Sequence, residues 1–199
     1  MPTGVAIRDA RQQLFDAAER ILLRAGPSAL TSRAVTAEAG CAKGVLHRHF
    51  ADFDAFLAEF VLDRSSRIDG QTATLLRSAG TGTVVGNLTG ALTALFESVA
   101  VAVVALITFR DDLRARLRET LPAGVPVLTE AVTMIAAYLT AERELGRIAP
   151  DAEVDMLAPM LIGTGHLLFA GRETTPPRAG AVQKVVSSVV AGVLQEPSR

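Results

Sequence analysis

Residues 31–50 read TSRAVTAEAGCAKGVLHRHF, and this stretch decides the fold. Thr31 is a good N-cap for a short helix through Ala39, because its hydroxyl can accept a hydrogen bond from an amide of the first turn. Gly40 is suited to end that helix in the left-handed conformation. A second short helix is predicted over Ala42–His49. The segment therefore reads as two short helices joined by a tight, glycine-containing turn.

This layout is that of a helix-turn-helix DNA-binding motif. Arg33, Lys43 and Arg48 against Glu38 give a net charge of +2 over the segment, which suits phosphate contacts. The competing interpretation is that these are ordinary solvated charges on a pair of short helices. Apolar side chains would form the small core between the two helices: Ala34, Val35, Ala39, Val45, Leu46 and Phe50.

Hydrophobic residues recur with a helical period almost everywhere else, which predicts an all-α protein of about nine helices. Asp52 is expected to cap the helix that follows the segment, and residues 78–83 (SAGTGT) read as a linker. The other predicted helices are Arg8–Ala25, Val84–Phe109, Asp111–Leu121, Val125–Leu145, Asp151–Arg172 and Arg178–Gln195. The predicted domains are a helix-turn-helix head at residues 1–52 and a helical body at residues 53–199.

Composition excludes several classes of protein. The chain has 199 residues, 49% of them hydrophobic, and a net charge of −1, which rules out a disordered chain and a uniformly basic nucleic-acid coat. The single cysteine, Cys41, is expected to pack in the turn and fits a reducing compartment. No signal peptide or membrane span is recognised, so the expectation is a cytoplasmic protein. His47 and His49 point to different faces of a helix and cannot share a metal ion, and no metal or cofactor is expected.

The segment Leu30–Leu57 resembles the DNA-binding signature of TetR/AcrR-type transcriptional regulators. The end of the first helix, Leu22–Gly26, also fits that pattern. The matching residues are Leu30, Thr31, Arg33, Ala39, Gly40, Lys43, Gly44, Leu46, His49, Phe50 and the run Asp54–Leu57.

The resemblance implies a homodimer that places one recognition helix per subunit in the major grooves of a near-palindromic double-stranded operator. Residues expected to contact DNA are Thr31, Arg33, Ala42, Lys43, Gly44, Val45, His47, Arg48 and His49. The chain departs from the family pattern at Ala42, Val45, His47 and Phe53, where the family often has hydroxyl, tyrosine or basic residues. Each departure removes a plausible donor to DNA.

The body is expected to bind a small, mostly apolar effector. The candidate lining residues lie on apolar helix faces, and plain core packing is the competing interpretation for each of them. They are Phe96, Val99, Val103, Arg110, Met134, Tyr138, Met160, His166 and Phe169.

A run of valines on the last helix favours a helix–helix dimer seam, with core packing inside one chain as the alternative. Gly163, Gly165 and Gly171 of the preceding helix would let the helices approach closely. The valines are Val182, Val185, Val186, Val189, Val190 and Val193.

The sequence thus predicts a one-component transcriptional regulator, a repressor by analogy with the family, released from its operator by the effector. The alternative is a helical small-molecule or protein-binding module whose head no longer binds DNA. An enzyme is disfavoured, because no nucleophile–base set or carboxylate pair has the spacing that catalysis needs.

Overall fold

The computed structural model describes residues 10–121, 124–170, 177–178 and 180–195. Within these ranges the protein contains ten α-helices and no β-strand, so the predicted all-α class is confirmed. A single antiparallel bridge joins Ile148 and Leu194. The helices are α1 Ala10–Ala25, α2 Ser32–Glu38, α3 Gly44–His49, α4 Phe53–Arg77, α5 Val84–Phe96, α6 Ala100–Phe109, α7 Asp111–Thr120, α8 Leu128–Glu144, α9 Val154–Phe169 and α10 Ala181–Val190.

The helices fall into two compact units, and α4 is divided between them. Unit 1 comprises the chain up to Asp63 together with residues 102–123, and unit 2 comprises residues 64–101 and 124 onward. The head therefore shares its unit with most of α6 and with α7. The predicted division into residues 1–52 and 53–199 remains a prediction.

The core of unit 1 is built on aromatic rings. The ring of Phe15 on α1 lies with its centroid 5.8 Å from that of Phe50 and 5.6 Å from that of Phe56 on α4. Phe50 meets Phe56 edge-on at 5.1 Å, a geometry that aromatic quadrupoles favour. All three rings are buried, as are Leu22 and Leu46. This cluster fixes α1, α3 and the start of α4 against one another.

Unit 2 is an aliphatic helix bundle formed by α5, α8, α9 and α10. Its buried residues recur at intervals of three or four, as a helix with one buried face requires. They include Leu88, Leu92, Met134, Ile135, Leu139, Ala158, Leu161, Val186 and Val190.

The structure confirms two predicted caps. The Thr31 hydroxyl accepts a hydrogen bond from the Ala34 amide at 3.1 Å, and Asp52 accepts one from the Ala55 amide at 2.6 Å. Residues 78–83 connect α4 to α5, as expected of a connecting segment.

The predicted single helix over Val84–Phe109 is wrong, because the chain breaks between Phe96 and Ala100 and the two pieces bend by 51°. The Ser98 hydroxyl lies within hydrogen-bond distance of the Leu95 carbonyl and accepts from the Ala100 amide, and such local bonds compete with the helical ladder.

Helix α3 begins at Gly44 rather than at the predicted Ala42, after a single turn in which the Val45 amide donates to the Ala42 carbonyl. In the described part of the chain no single helix is both long and apolar enough to span a membrane, and the bent pair α5–α6 passes that test only when its two helices are counted together.

Candidate nucleic-acid interface

The turn between α2 and α3 is fixed by local hydrogen bonds. Gly40 has a φ of +66°, a conformation that costs glycine nothing and that other residues adopt only with strain. The Cys41 amide donates to the Thr36 carbonyl at 3.0 Å. The buried Thr36 hydroxyl in turn donates to the Ser32 carbonyl one turn earlier in α2. The sequence predicted this turn correctly because glycine marks it.

One face of helix α3 is buried in the head and the opposite face is exposed to solvent. Leu46 is fully buried and Phe50 is buried at the C-cap, whereas Val45 and His49 are partly buried. Of the nine predicted DNA-contact residues, the remaining seven are either exposed on this segment or at the start of α2. They are Thr31, Arg33, Ala42, Lys43, Gly44, His47 and Arg48.

The basic side chains of this surface have no partner among the residues that the structure describes. Arg33, Lys43, His47 and Arg48 form no side-chain hydrogen bond or ion pair within the described ranges. They are exposed and solvated, and available to a ligand from outside. We call the exposed side of α3 together with Arg33 the basic surface.

The one acidic residue of the motif is paired with arginines of α1. Glu38 binds Arg20 and Arg24 of α1, each at 2.8 Å. Hydrogen bonds from Arg24 and Arg20 lower the pKa of Glu38 to about 2. Because its charge is already matched by α1, Glu38 does not offset Arg33, Lys43 and Arg48. The sequence count of +2 therefore understates the positive charge that the basic surface presents.

Phe53 stands at the start of α4, where the resembled pattern predicted a basic residue, and a cation reaches this position from elsewhere in unit 1. The Arg110 guanidinium lies 5.4 Å from the centre of the Phe53 ring and 3.2 Å from Asp54. Next to them, Asp52 accepts hydrogen bonds from both terminal nitrogens of Arg116 on α7, at 3.1 and 2.9 Å. The Ala55 amide, followed by Arg116, holds the pKa of Asp52 below its usual value. The start of α4 is thus tied to α7.

The predicted ligand-binding residues belong to both units. Arg110 and Val103 belong to unit 1, and the other seven belong to unit 2. Val99, Val103 and Met134 are buried core residues, whereas Met160 is half exposed on α9.

Three of these residues do meet in unit 2. The Phe96 ring stacks on Phe169 at 5.6 Å and lies 6.1 Å from the His166 ring. Burial lowers the pKa of His166, and its Nδ1 has no hydrogen-bond partner among the described residues. Gly165 is required here, because a Cβ at this position would lie 2.5 Å from the Phe96 ring. As ligand contacts, all nine residues remain predictions.

Sequence reasoning missed a buried polar network at the α4–α5 connection. Tyr138 is completely buried, and its hydroxyl donates to Glu142, which is also 0% exposed. The Asn87 amide donates to the Tyr138 hydroxyl at 3.0 Å. Arg147 approaches the second Glu142 oxygen at 3.3 Å. From the sequence, Tyr138 was expected to lie in a pocket or in the core. The structure buries it and gives its hydroxyl two hydrogen-bond partners, Asn87 and Glu142.

The network holds residues 78–82 of the connection. Asn87 donates to the carbonyls of Ser78 and Thr81, at 3.1 and 2.9 Å. Arg147 donates to the Gly82 carbonyl at 2.8 Å. The predicted linker is therefore a turn fixed by side chains from two other parts of unit 2.

A cleft of about 560 Å³ lies between α4 and α5 and opens to solvent. None of the nine predicted ligand residues lines it. Its walls consist mostly of small side chains with a few polar ones: Arg67, Gly70, Gln71, Thr74, Leu75, Ser78, Gly86, Asn87, Gly90, Ala91 and Ala94.

The valines of the predicted dimer seam differ in burial. Val182, Val186 and Val190 are buried within unit 2, which supports the core-packing alternative for these three, and Val185, Val189 and Val193 are partly buried. Gly171 lies outside the described residues. On α9 an exposed apolar stripe remains, with Met156 57%, Met160 50% and Leu167 75% exposed and Gly163 between them.

Comparisons with known proteins agree with this architecture. Residues 14–60 match the family model of bacterial regulatory proteins of the tetR family, which confirms the resemblance found in the sequence. No curated protein sequence matches the chain.

Solved structures share the fold over nearly the whole chain. The reduced form of Escherichia coli NemR aligns with a TM-score of 0.73 at 15% identity, covering 96% of this chain and 100% of that one. Bacillus subtilis FadR in complex with stearoyl-CoA aligns with a TM-score of 0.67 at 17% identity, covering 91% and 98%. Mycobacterium tuberculosis KstR2, a ketosteroid transcriptional regulator, aligns with a TM-score of 0.59 at 20% identity, covering 96% and 98%. At these identities the likeness establishes the fold.

Proposed function

We propose that this chain, whose residues 14–60 belong to the tetR family of bacterial regulatory proteins, is a homodimeric repressor of transcription that is released from its operator by a small effector. The observation that carries the proposal is the basic surface. Arg33, Lys43 and Arg48 are exposed and form no ion pair with the described residues, whereas the neighbouring Glu38 is paired with Arg20 and Arg24 of α1. Exposed cations held in this way suit a polyanion.

The roles of the predicted DNA-contact residues follow from side-chain chemistry. Lys43, Arg48 and the Thr31 hydroxyl are assigned to phosphates, which fix the register of the protein on the duplex. Arg33, His47 and Val45 are assigned to base edges in the major groove, where guanidinium groups read guanine and apolar groups meet the thymine methyl. Two copies of α3, one per subunit, would enter successive major grooves of a near-palindromic operator.

The exposed stripe on α9 supports the dimer. Met156, Met160, Gly163 and Leu167 follow one helix face and leave apolar area in water, which marks an interaction surface when the area is contiguous. The partly buried valines Val185 and Val189 of α10 would extend that surface. A two-fold dimer through α9 and α10 would present two heads to one operator.

Release by an effector requires that the ligand bind one arrangement of the two heads more tightly than the other. Isothermal titration of the effector with and without operator DNA measures that difference directly. Equal affinity in both titrations would exclude the switch.

The first experiment is selection of randomised duplex DNA on the purified protein, with sequencing, at two salt concentrations. The expected result is enrichment of an inverted repeat whose affinity falls steeply as salt rises, because binding releases counterions from the DNA. Only weak binding that ignores sequence would overturn the proposal. It would favour the alternative of a ligand- or protein-binding module whose head has lost the donors missing at Ala42, Val45 and Phe53.

A further inference from the structure

Helix α3 is too short to fix its own orientation. It contains six residues, Gly44–His49, and isolated helices shorter than about 12 residues are marginal in water. Its buried apolar contacts come from Leu46 and from Phe50 at its C-cap. Hydrophobic burial is non-directional, so these two side chains hold α3 against the rest of unit 1 without specifying its rotation. A directional contact specifies the rotation.

Arg11 of α1 makes such a contact at the C-terminal end of α3. Its Nη1 donates a hydrogen bond to the His49 carbonyl at 3.3 Å. The last carbonyls of a helix have no partner within the helix, and a cation at this end also matches the helix dipole. The Arg11 guanidinium carbon lies 4.5 Å from the centre of the Phe50 ring, in cation–π distance. One side chain of α1 thus contacts both the last residue of α3 and its C-cap.

Glu59 of α4 holds the same guanidinium in place. It forms an ion pair with Nη2 of Arg11, whereas the hydrogen bond to His49 uses Nη1. A guanidinium presents its N–H donors in a rigid fork, so a partner on one nitrogen also fixes the direction of the other. Arg11 therefore joins α1, α3 and α4 at one point.

The ion pair between Arg11 and Glu59 is a weak source of stability. The two side chains are 46% and 43% exposed, and ion pairs between exposed groups contribute little to the free energy of folding. The contacts of Arg11 do end on the helix that carries His47 and Arg48 of the basic surface. Base edges are read by hydrogen bonds, which weaken steeply when they are misaligned. The orientation of α3 therefore matters for reading a sequence.

We propose that Arg11 is a positioning residue for DNA recognition, which sets the orientation of α3 so that its side chains meet base edges correctly. This inference rests on the proposed function for the DNA, whereas the geometry rests on the contacts of Arg11. Sequence-independent attraction to phosphates depends on charge rather than on the orientation of one helix. Loss of Arg11 should therefore reduce discrimination between the operator and other sequences.

The test compares Arg11→Met with the matched control Arg118→Met. Methionine keeps an unbranched side chain without the guanidinium, and Arg118 is an exposed arginine on α7. Affinities of the full-length proteins for the selected operator and for a scrambled duplex are measured by fluorescence anisotropy. Arg11→Met should lower the ratio of the two affinities about tenfold, the effect of one mismatched base pair, and Arg118→Met should leave it unchanged. An unchanged ratio in Arg11→Met overturns the proposal, because loss of charge or of folded protein lowers both affinities together.

Glu59→Gln distinguishes positioning from direct contact with DNA. The substitution removes the charge that holds Arg11 and leaves Arg11 in the protein. If Arg11 positions α3, the affinity ratio falls in Glu59→Gln as well, and adding this substitution to Arg11→Met changes nothing further. If Arg11 instead binds a phosphate, its release from Glu59 strengthens binding to both duplexes and leaves the ratio unchanged, which overturns the proposal.

Hydrogen exchange tests the geometry without DNA. The Phe50 amide donates to the Leu46 carbonyl at 3.0 Å and reports on the last turn of α3. In Arg11→Met, exchange followed by mass spectrometry should be at least about threefold faster in residues 44–50 and unchanged in residues 32–38 of α2. Exchange that rises equally in both segments, or in neither, overturns the positioning role.

Failure of this inference is distinct from failure of the proposed function. A wild-type protein that selects an operator, with discrimination that ignores Arg11→Met, keeps the regulator and loses the positioning residue. A wild-type protein that selects no operator loses the regulator, while hydrogen exchange still decides whether Arg11 fixes α3.

Discussion

Two regions of this protein differ in how their charged side chains are compensated. On the basic surface, Lys43 and Arg48 are exposed and have no partner in the described structure. At the α4–α5 connection, Glu142 is completely buried and has Arg147, Tyr138 and the Gly80 amide as partners. A buried charge must be compensated within the fold, because nothing else can solvate it. Exposed cations are solvated by water and need no partner in the fold, so they are the ones to examine for binding.

The largest effect on stability is expected from Arg147→Ala. The substitution leaves the buried Glu142 carboxylate without its ion-pair partner, which should lower the free energy of unfolding by about 3 kcal/mol. Urea denaturation followed by circular dichroism measures it. Arg48→Ala is the matched control on the basic surface and should change the same quantity by less than about 0.5 kcal/mol. Equal losses in the two variants would break the comparison.

The next largest effect concerns DNA. Lys43→Ala removes one assigned phosphate contact per subunit, so a dimer should lose about two units of slope in a plot of log affinity against log salt. Operator affinity near physiological salt should fall at least about tenfold, measured by fluorescence anisotropy. The control is Arg118→Ala, an exposed cation on α7. An unchanged slope in Lys43→Ala would remove this residue from the interface.

Two threonines that cap helices in the same way distinguish an effect on stability from an effect on DNA binding. Thr31 caps α2 through the Ala34 amide at 3.1 Å, and Thr83 caps α5 through the Gly86 amide at 3.0 Å. Either threonine replaced by alanine should cost about 1 kcal/mol of stability, since each leaves an amide of the first turn unpaired. Only Thr31→Ala should also weaken operator binding. Comparable operator binding by the two variants would show that the Thr31 hydroxyl is a cap and nothing more.

The smallest effect should come from Glu38→Gln and should depend on pH. The pKa of Glu38 is lowered to about 2, so its ion pairs with Arg24 and Arg20 contribute to stability above the ordinary carboxyl pKa of 4.5 and lose that contribution as the pH falls toward 2. Wild type should therefore be the more stable protein at pH 6, and the difference should shrink between pH 4.5 and 2. Thermal melts across that range measure it. A difference that stays constant with pH would mean that Glu38 acts through packing rather than charge.

Much of the head could be predicted because its signals are local. Thr31 and Asp52 form the caps that their positions indicate, and Gly40 adopts the positive φ that its place after a short helix predicts. The break between α5 and α6 was missed, because the hydrophobic residues recur with a helical period both before and after Ser98. Side-chain bonds of a single serine are too short a signal to outweigh that pattern.

The predicted ligand residues remain predictions, because apolar residues on a helix look alike in sequence whether they line a cavity or fill a core. Tyr138 and Arg110 were selected because they lie on or beside apolar helical runs; in the structure Tyr138 bonds to Glu142 and Arg110 pairs with Asp54. The open cleft is lined by glycines and alanines, which carry no chemistry of their own and attract no notice in a sequence.

The sequence by itself determined the all-α class, the helix-turn-helix head and its caps, and the family resemblance. These depend on residue spacing and on interactions within a few positions along the chain. Only the tertiary structure decided which charges are satisfied, where Arg110 and Tyr138 are engaged, and that Gly70 and Gly90 face an open cleft. Those properties depend on residues that are distant in sequence and close in space, and their pairing is set by the packing of the helices.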